Sequence, residues 1–115
     1  MSGLNYPKSI ELEWAKGTTE FWIGPKARQS LEMGGAGVAG LGMEGYLQVF
    51  INGTWTAAQA KAVLKAARTF KGGSSDPYQF AEDAVADCLP VHIKTLCISI
   101  LSHMVYGETL GDDDD

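Results

Sequence analysis

The chain has 115 residues, of which 45% are hydrophobic: enough for one domain with a single modest core. Its formal charge of −5 is unevenly placed, because residues 112–115 are four consecutive aspartates and the remainder sets ten acidic residues against nine basic ones. So neutral a body lacks the net positive charge usual in a nucleic-acid binder. The longest nearly apolar stretch, residues 96–105, is broken by Ser99, Ser102 and His103. It falls well short of the ~20 residues of a membrane span, so no membrane partner is expected.

The opening sequence MSGLNYPKSIELEW puts charges and Pro7 where a signal peptide has an apolar segment. With only Cys88 and Cys97, both among apolar helix positions, buried free thiols in the cytoplasm are expected rather than a disulfide framework. Residues 8–24 predict a β-hairpin. Ile10, Leu12 and Trp14 alternate with Glu11 and Glu13, and after Lys16-Gly17 the residues Thr19, Phe21 and Ile23 alternate with Glu20 and Trp22. Trp22 falls on the polar side, either under another element or as an exposed aromatic anchor.

Residues 25–33 predict two turns of helix, with Pro25 suited to the first position and Gly34-Gly35 to the stop. Residues 34–45 contain six glycines in twelve positions. Residues 46–51 read as a third strand, covered on both faces because Leu47, Val49 and Ile51 alternate with Tyr46, Gln48 and Phe50. Asn52-Gly53 then reads as a tight turn. Thr56 and Gln59 form a capping-box pattern that opens a helix to about Phe70, with Ala60, Val63, Leu64, Ala67 and Phe70 on its buried stripe. Asp76-Pro77 opens another, with Phe80, Ala81, Ala84, Val85 and Cys88 inward. Pro90 must kink that helix or start a new one. Beyond it, Ile93, Leu96, Cys97, Ile100, Leu101 and Met104 share a stripe that Ile98 and Val105 widen.

The expected fold is therefore a single α+β domain over residues 1–111 with an acidic tail at 112–115. An N-terminal antiparallel sheet of about three strands would have C-terminal helices packed on one face.

Chemistry-bearing motifs are scarce. Gly40-Leu-Gly-Met-Glu-Gly45 spells a dinucleotide-loop pattern, but it precedes an expected strand and lacks the Lys-Ser/Thr of a phosphate loop. Cys88, His92, Cys97 and His103 do not have the compact spacing of zinc ligands, so no metal or cofactor is expected. The pairs Glu11/Glu13 and Glu82/Asp83 read as solvated charge, and no acid–base set converges, so an enzyme is not expected. Lys61, Lys65, Arg68 and Lys71 form a basic stripe with no acid between Thr54 and Ser75. That stripe would serve a nucleic-acid or protein partner, or be neutralised by Glu82, Asp83 and Asp87 on the next helix. Trp22, Trp55, Ile98 and Val105 are the candidate protein-interaction residues, and they make a homo-oligomer plausible.

Residues 80–96, with Ala86-Asp87 before Pro90-Val91 and then an amphipathic helix, resemble a pattern in small accessory proteins of tailed phages and plasmids. The resemblance implies a phage origin. Some acidic members of that group resemble DNA and block restriction enzymes, but the near-neutral body here departs from them. The expected function is a phage-borne, non-enzymatic protein that binds and inhibits a host defence component of the anti-CRISPR or anti-restriction kind, in the host cytoplasm. The alternatives are an oligomeric ligand- or nucleotide-binding module, a nucleic-acid-binding protein, and a phage structural or assembly protein.

Overall fold

The computed structural model of the chain describes residues 6–34 and 40–107. The acidic tail and residues 35–39 of the Gly-rich segment lie outside the described residues. The first element is an antiparallel hairpin, β1 (Ile10–Trp14) and β2 (Gly17–Phe21), with Ile10 opposite Phe21 and Leu12 opposite Thr19. Ile10, Leu12 and Trp14 turn inward while Glu11 and Glu13 face water, as the alternation predicts. A short helix, α1 (Pro25–Met33), follows, with proline in its first turn and Gly34 at φ 78° ending it.

The main departure from the sequence reading comes next. Residues 46–51 are not a third strand. They lie within a helix, α2 (Met43–Asn52), so the described sheet has two strands rather than about three. Met43, Tyr46, Leu47 and Phe50 are its buried residues, a helical spacing that coexists with the alternation seen in the letters. The Tyr46 hydroxyl donates to the Leu31 carbonyl at 2.9 Å, which fixes α2 against α1. Asn52-Gly53 is a helix stop, not a hairpin turn. Gly53 adopts φ 77°, its N–H donates to the Phe50 carbonyl at 3.2 Å, and the Thr54 N–H donates to the Val49 carbonyl at 2.9 Å. That pair of bonds is a Schellman motif.

Helix α3 (Ala57–Arg68) opens with the expected capping box. Thr56 Oγ1 accepts from the Gln59 N–H at 3.2 Å, and Gln59 Oε1 accepts from the Thr56 N–H at 2.9 Å. Helix α4 (Pro77–Asp87) is capped by Asp76, whose Oδ1 accepts from the Gln79 N–H at 3.0 Å. Pro90 does not kink that helix. It starts a new one, α5 (Pro90–Tyr106), after an extended Leu89 at φ −67° and ψ 146°.

The core lies between these helices and one face of the hairpin. Ile93, Leu96, Cys97, Ile100 and Leu101 of α5 are buried, α5 packs on α2, and α3 packs on α4. Phe21 is fully buried and meets Trp14 and Phe80 edge to face at 6.2 Å. Two polar ties fasten the end of β2 to the end of α3: the Trp22 N–H donates to the Ala67 carbonyl at 2.9 Å, and Arg68 Nη1 donates to the Glu20 carbonyl. No strand pairs with the outer edge of β1 among the described residues.

Candidate functional site

The basic stripe does not survive folding as one surface. Lys61 Nζ lies 3.1 Å from Glu82 Oε1, so the first lysine is neutralised by α4. Lys61, then Tyr78, hold the Glu82 carboxyl below its ordinary range by hydrogen bonding. Arg68 is turned inward, its guanidinium 5.6 Å from the Phe70 ring centre and 5.5 Å from that of Phe80. Its Nε is buried without a partner. Lys65 stays exposed on α3, and Lys71 lies beyond the helix end on the rim of a groove. The stripe is thus divided among an ion pair, a core-facing cation and two separate surface lysines.

The four interaction candidates are also largely engaged within the molecule. Trp55 stacks on Phe50 with ring centres 5.3 Å apart and planes 24° apart. Ile98 and Val105 are half-buried against the core. Trp22 is half-buried, and its indole N–H donates to the Pro7 carbonyl at 2.7 Å. The large apolar side chains left in water are others: Met33, Ile51, Tyr78, Leu89, Val91 and Tyr106. Two of these sit together in sequence. Leu89 and Val91, 62% and 58% exposed, flank Pro90 at the elbow between α4 and α5.

The groove is the second concave or apolar feature. It has a volume of about 440 Å³ and is lined by Tyr6, Pro7, Lys8, Ser9, Glu20, Trp22, Phe70 and Lys71. Its aromatic side is a chain of edge-to-face contacts, Tyr6 to Trp22 at 6.0 Å and Trp22 to Phe70 at 6.3 Å. The Tyr6 hydroxyl donates to the Ile23 carbonyl at 2.6 Å, and burial raises its pKa above that of an ordinary tyrosine. Ser9 Oγ donates to Glu20 Oε2 at 2.5 Å, and Lys8 and Lys71 are among the lining residues. Gly24 makes room for the indole: a Cβ there would come within 2.8 Å of the Trp22 ring. As site residues the sequence marked Trp22 and Lys71 but not Tyr6 or Pro7, and it placed Phe70 on the buried stripe of a helix that in fact ends at Arg68. The aromatic spacing around Tyr6-Pro7 and Phe70-Lys71 was the available signal.

The remaining sequence candidates do not assemble. Gly40 and Gly42 lead into helix α2 rather than a strand, but among the described residues the element before them is helix α1 and not the strand that a dinucleotide loop needs. Glu32 Oε2 accepts the Met43 N–H at 3.1 Å, so a carboxylate of the chain itself sits at the start of α2. Cys97 is fully buried, and burial pushes its thiol pKa far up. No three His, Cys, Asp or Glu side chains converge on a metal-sized site among the described residues. No described helix is long and apolar enough to cross a membrane. Comparison with known protein families, with curated proteins and with solved structures finds no match for the chain.

Proposed function

We propose that this chain is a non-enzymatic, phage-borne protein that works by binding another protein, and that its partner is a component of the phage particle or of its assembly. The observation that supports this is the elbow. Leu89 and Val91 project on either side of Pro90, where a helix start fixes their positions, and both are more than half exposed. Asp87, one turn away, is already paired with Lys16 at 3.0 Å. A rigid apolar corner with its nearby charge satisfied suits an apolar surface on another protein, gaining ~25 cal/mol for each Å² removed from water. The resemblance of residues 80–96 to phage and plasmid accessory proteins supports the phage origin.

Inhibition of a host defence component is the second reading, and the same elbow would serve it. The version that works by presenting carboxylates in place of DNA is less favoured, because Glu82 and Asp87 are matched to lysines of this chain. A nucleic-acid role for Lys61, Lys65, Arg68 and Lys71 is weakened by the inward turn of Arg68 and the pairing of Lys61.

The test uses the Leu89→Ser/Val91→Ser double variant. Co-purification of the chain with a virion protein from infected cells, lost in the variant, is the expected result. A rise in plaque count when the chain is expressed in a restriction- or CRISPR-bearing host, also lost in the variant, would favour the second reading. If a specific association persists undiminished in the folded variant, the elbow is not the contact.

A further inference from the structure

Residues 6–9, which enter the hairpin, are fastened by side chains and not by the sheet. The β1–β2 ladder ends at the Ile10–Phe21 pair. Two residues further on, the same register would set Lys8 opposite Ile23 as the next hydrogen-bonded rung. Side chains hold both of those carbonyls instead. The Tyr6 hydroxyl donates to the Ile23 carbonyl at 2.6 Å. His103 Nε2 lies 2.6 Å from the Lys8 carbonyl, and since a carbonyl only accepts, that nitrogen carries the proton. The Pro7 carbonyl accepts from the Trp22 indole N–H at 2.7 Å, and Ser9 Oγ donates to Glu20 Oε2 at 2.5 Å. The Trp22 backbone N–H is turned away, to the Ala67 carbonyl at 2.9 Å. Among the described residues, no backbone–backbone bond outside the ladder fastens this strap. A single such side-chain bond shifts an equilibrium by roughly tenfold or less. Lys8 and Ser9 are exposed, whereas Ile23 beneath is fully buried. A surface segment held in this way opens locally while the core stays folded.

We propose that the strap is a displaceable internal ligand, and that the surface beneath it binds an extended segment of a partner protein carrying the same Tyr-Pro pair. The strap itself supplies the template. A residue before proline is held extended, and aromatic-lined grooves take such pre-extended segments. The partner's tyrosine hydroxyl reaches the Ile23 carbonyl, and its proline carbonyl takes the Trp22 indole N–H. The ring of Phe70, 6.3 Å from that of Trp22, forms the far wall. Tyr6, Pro7, Lys8 and Ser9 are the near wall of the groove, so lifting them widens it for the incoming chain. A strap open roughly a tenth of the time weakens the partner's apparent affinity about tenfold, which makes the strap an autoinhibitory contact. Leu89 and Val91 take no part, so this site and the elbow stand or fall separately.

The experiment is NMR on the full chain, following the Trp22 indole N–H. In the wild type its hydrogen exchange is expected to be at least about tenfold less protected than that of the Leu64 amide in the core, and insensitive to low urea. The second arm adds a Tyr-Pro-Lys-Ser peptide, capped at both ends, to the wild type and to Tyr6→Phe. That change removes one hydroxyl from the strap and leaves its ring, so the fold is kept. The peptide should shift the Trp22 signal in both proteins and bind Tyr6→Phe about three- to tenfold more tightly, because the strap competes less well. A Phe-Pro-Lys-Ser peptide should lose that gain. A Trp22 indole that exchanges only as slowly as Leu64 overturns the proposal, since the strap then opens only with the whole fold. Equal or absent peptide binding in the two proteins also overturns it. So does a variant that sediments as a dimer, because the strap of a second copy then fills the site.

Discussion

Arg68 shows how misleading a residue's charge is when read without its surroundings. In the sequence it belongs with Lys61, Lys65 and Lys71, yet its guanidinium donates to the Glu20 carbonyl and lies over two aromatic rings. The hydrogen bond joins residues 48 apart in the chain and supports the hairpin against the helices. A charge-assisted hydrogen bond contributes ~1.5–3 kcal/mol net, and the ring contacts add to it. Arg68→Ala should therefore cost about 2–3 kcal/mol in urea unfolding, whereas Lys65→Ala on the exposed face should stay within about 0.5 kcal/mol. Equal small losses in both variants would remove Arg68 from its bridging role.

At the scale of elements, the hairpin and helices α1, α3, α4 and α5 were legible because their signals are local. The period-two alternation of residues 10–14, the Thr56/Gln59 box and the Asp76-Pro77 cap each act within a few residues. Helix α2 was not legible, because Tyr-Leu-Gln-Val-Phe-Ile satisfies both periods and only the tertiary neighbours decide between them. Tyr46 and Phe50 become fully buried on a helix, and Ile51, an expected inward residue of the strand, is left half-exposed. The stop after α2 is open to test. Gly53→Ala forces a side chain into the left-handed region, and should destabilise the fold by ~1–2 kcal/mol in denaturant unfolding. Were residues 46–51 a strand ended by an ordinary turn, no such helix-linked loss of circular dichroism would accompany it.

The contact between α3 and α4 carries the pH dependence. The Glu82 carboxyl is held below its ordinary range, first by Lys61 and second by Tyr78. A depressed carboxyl stabilises the fold above the unfolded-state value, near ~4.3 for glutamate, and that contribution is lost as pH falls through the lower folded value. In an NMR titration the Glu82 midpoint should lie below the ordinary value in the wild type and rise toward it in Lys61→Ala. An unchanged midpoint in the variant would show that the ion pair does not set it.

For the molecule as a whole, the division of surface matters more than any motif. Charges that looked available in the sequence are matched internally at Lys61–Glu82, Lys16–Asp87 and Arg28–Glu32. Apolar side chains stand out at the elbow, and aromatic rings with charged neighbours line the groove. The sequence reading placed interaction candidates on Trp22, Trp55 and α5, not at the elbow. It chose Ile98 and Val105 on the widened stripe because periodicity cannot show that α2 and β1 cover α5. Leu89 and Val91 flank the one position where the helical pattern is interrupted, so no stripe could include them.

The two ties from α3 leave the hairpin asymmetric in a way that bears on solubility. Arg68 and Ala67 tie down the β2 side of the hairpin, while no strand among the described residues pairs with the outer edge of β1. An open strand edge is a template for stacking copies of the same chain, and Glu11 and Glu13 are the gatekeepers that make such stacking repulsive. Two like charges on one short strand thereby oppose the stacking of this chain into filaments.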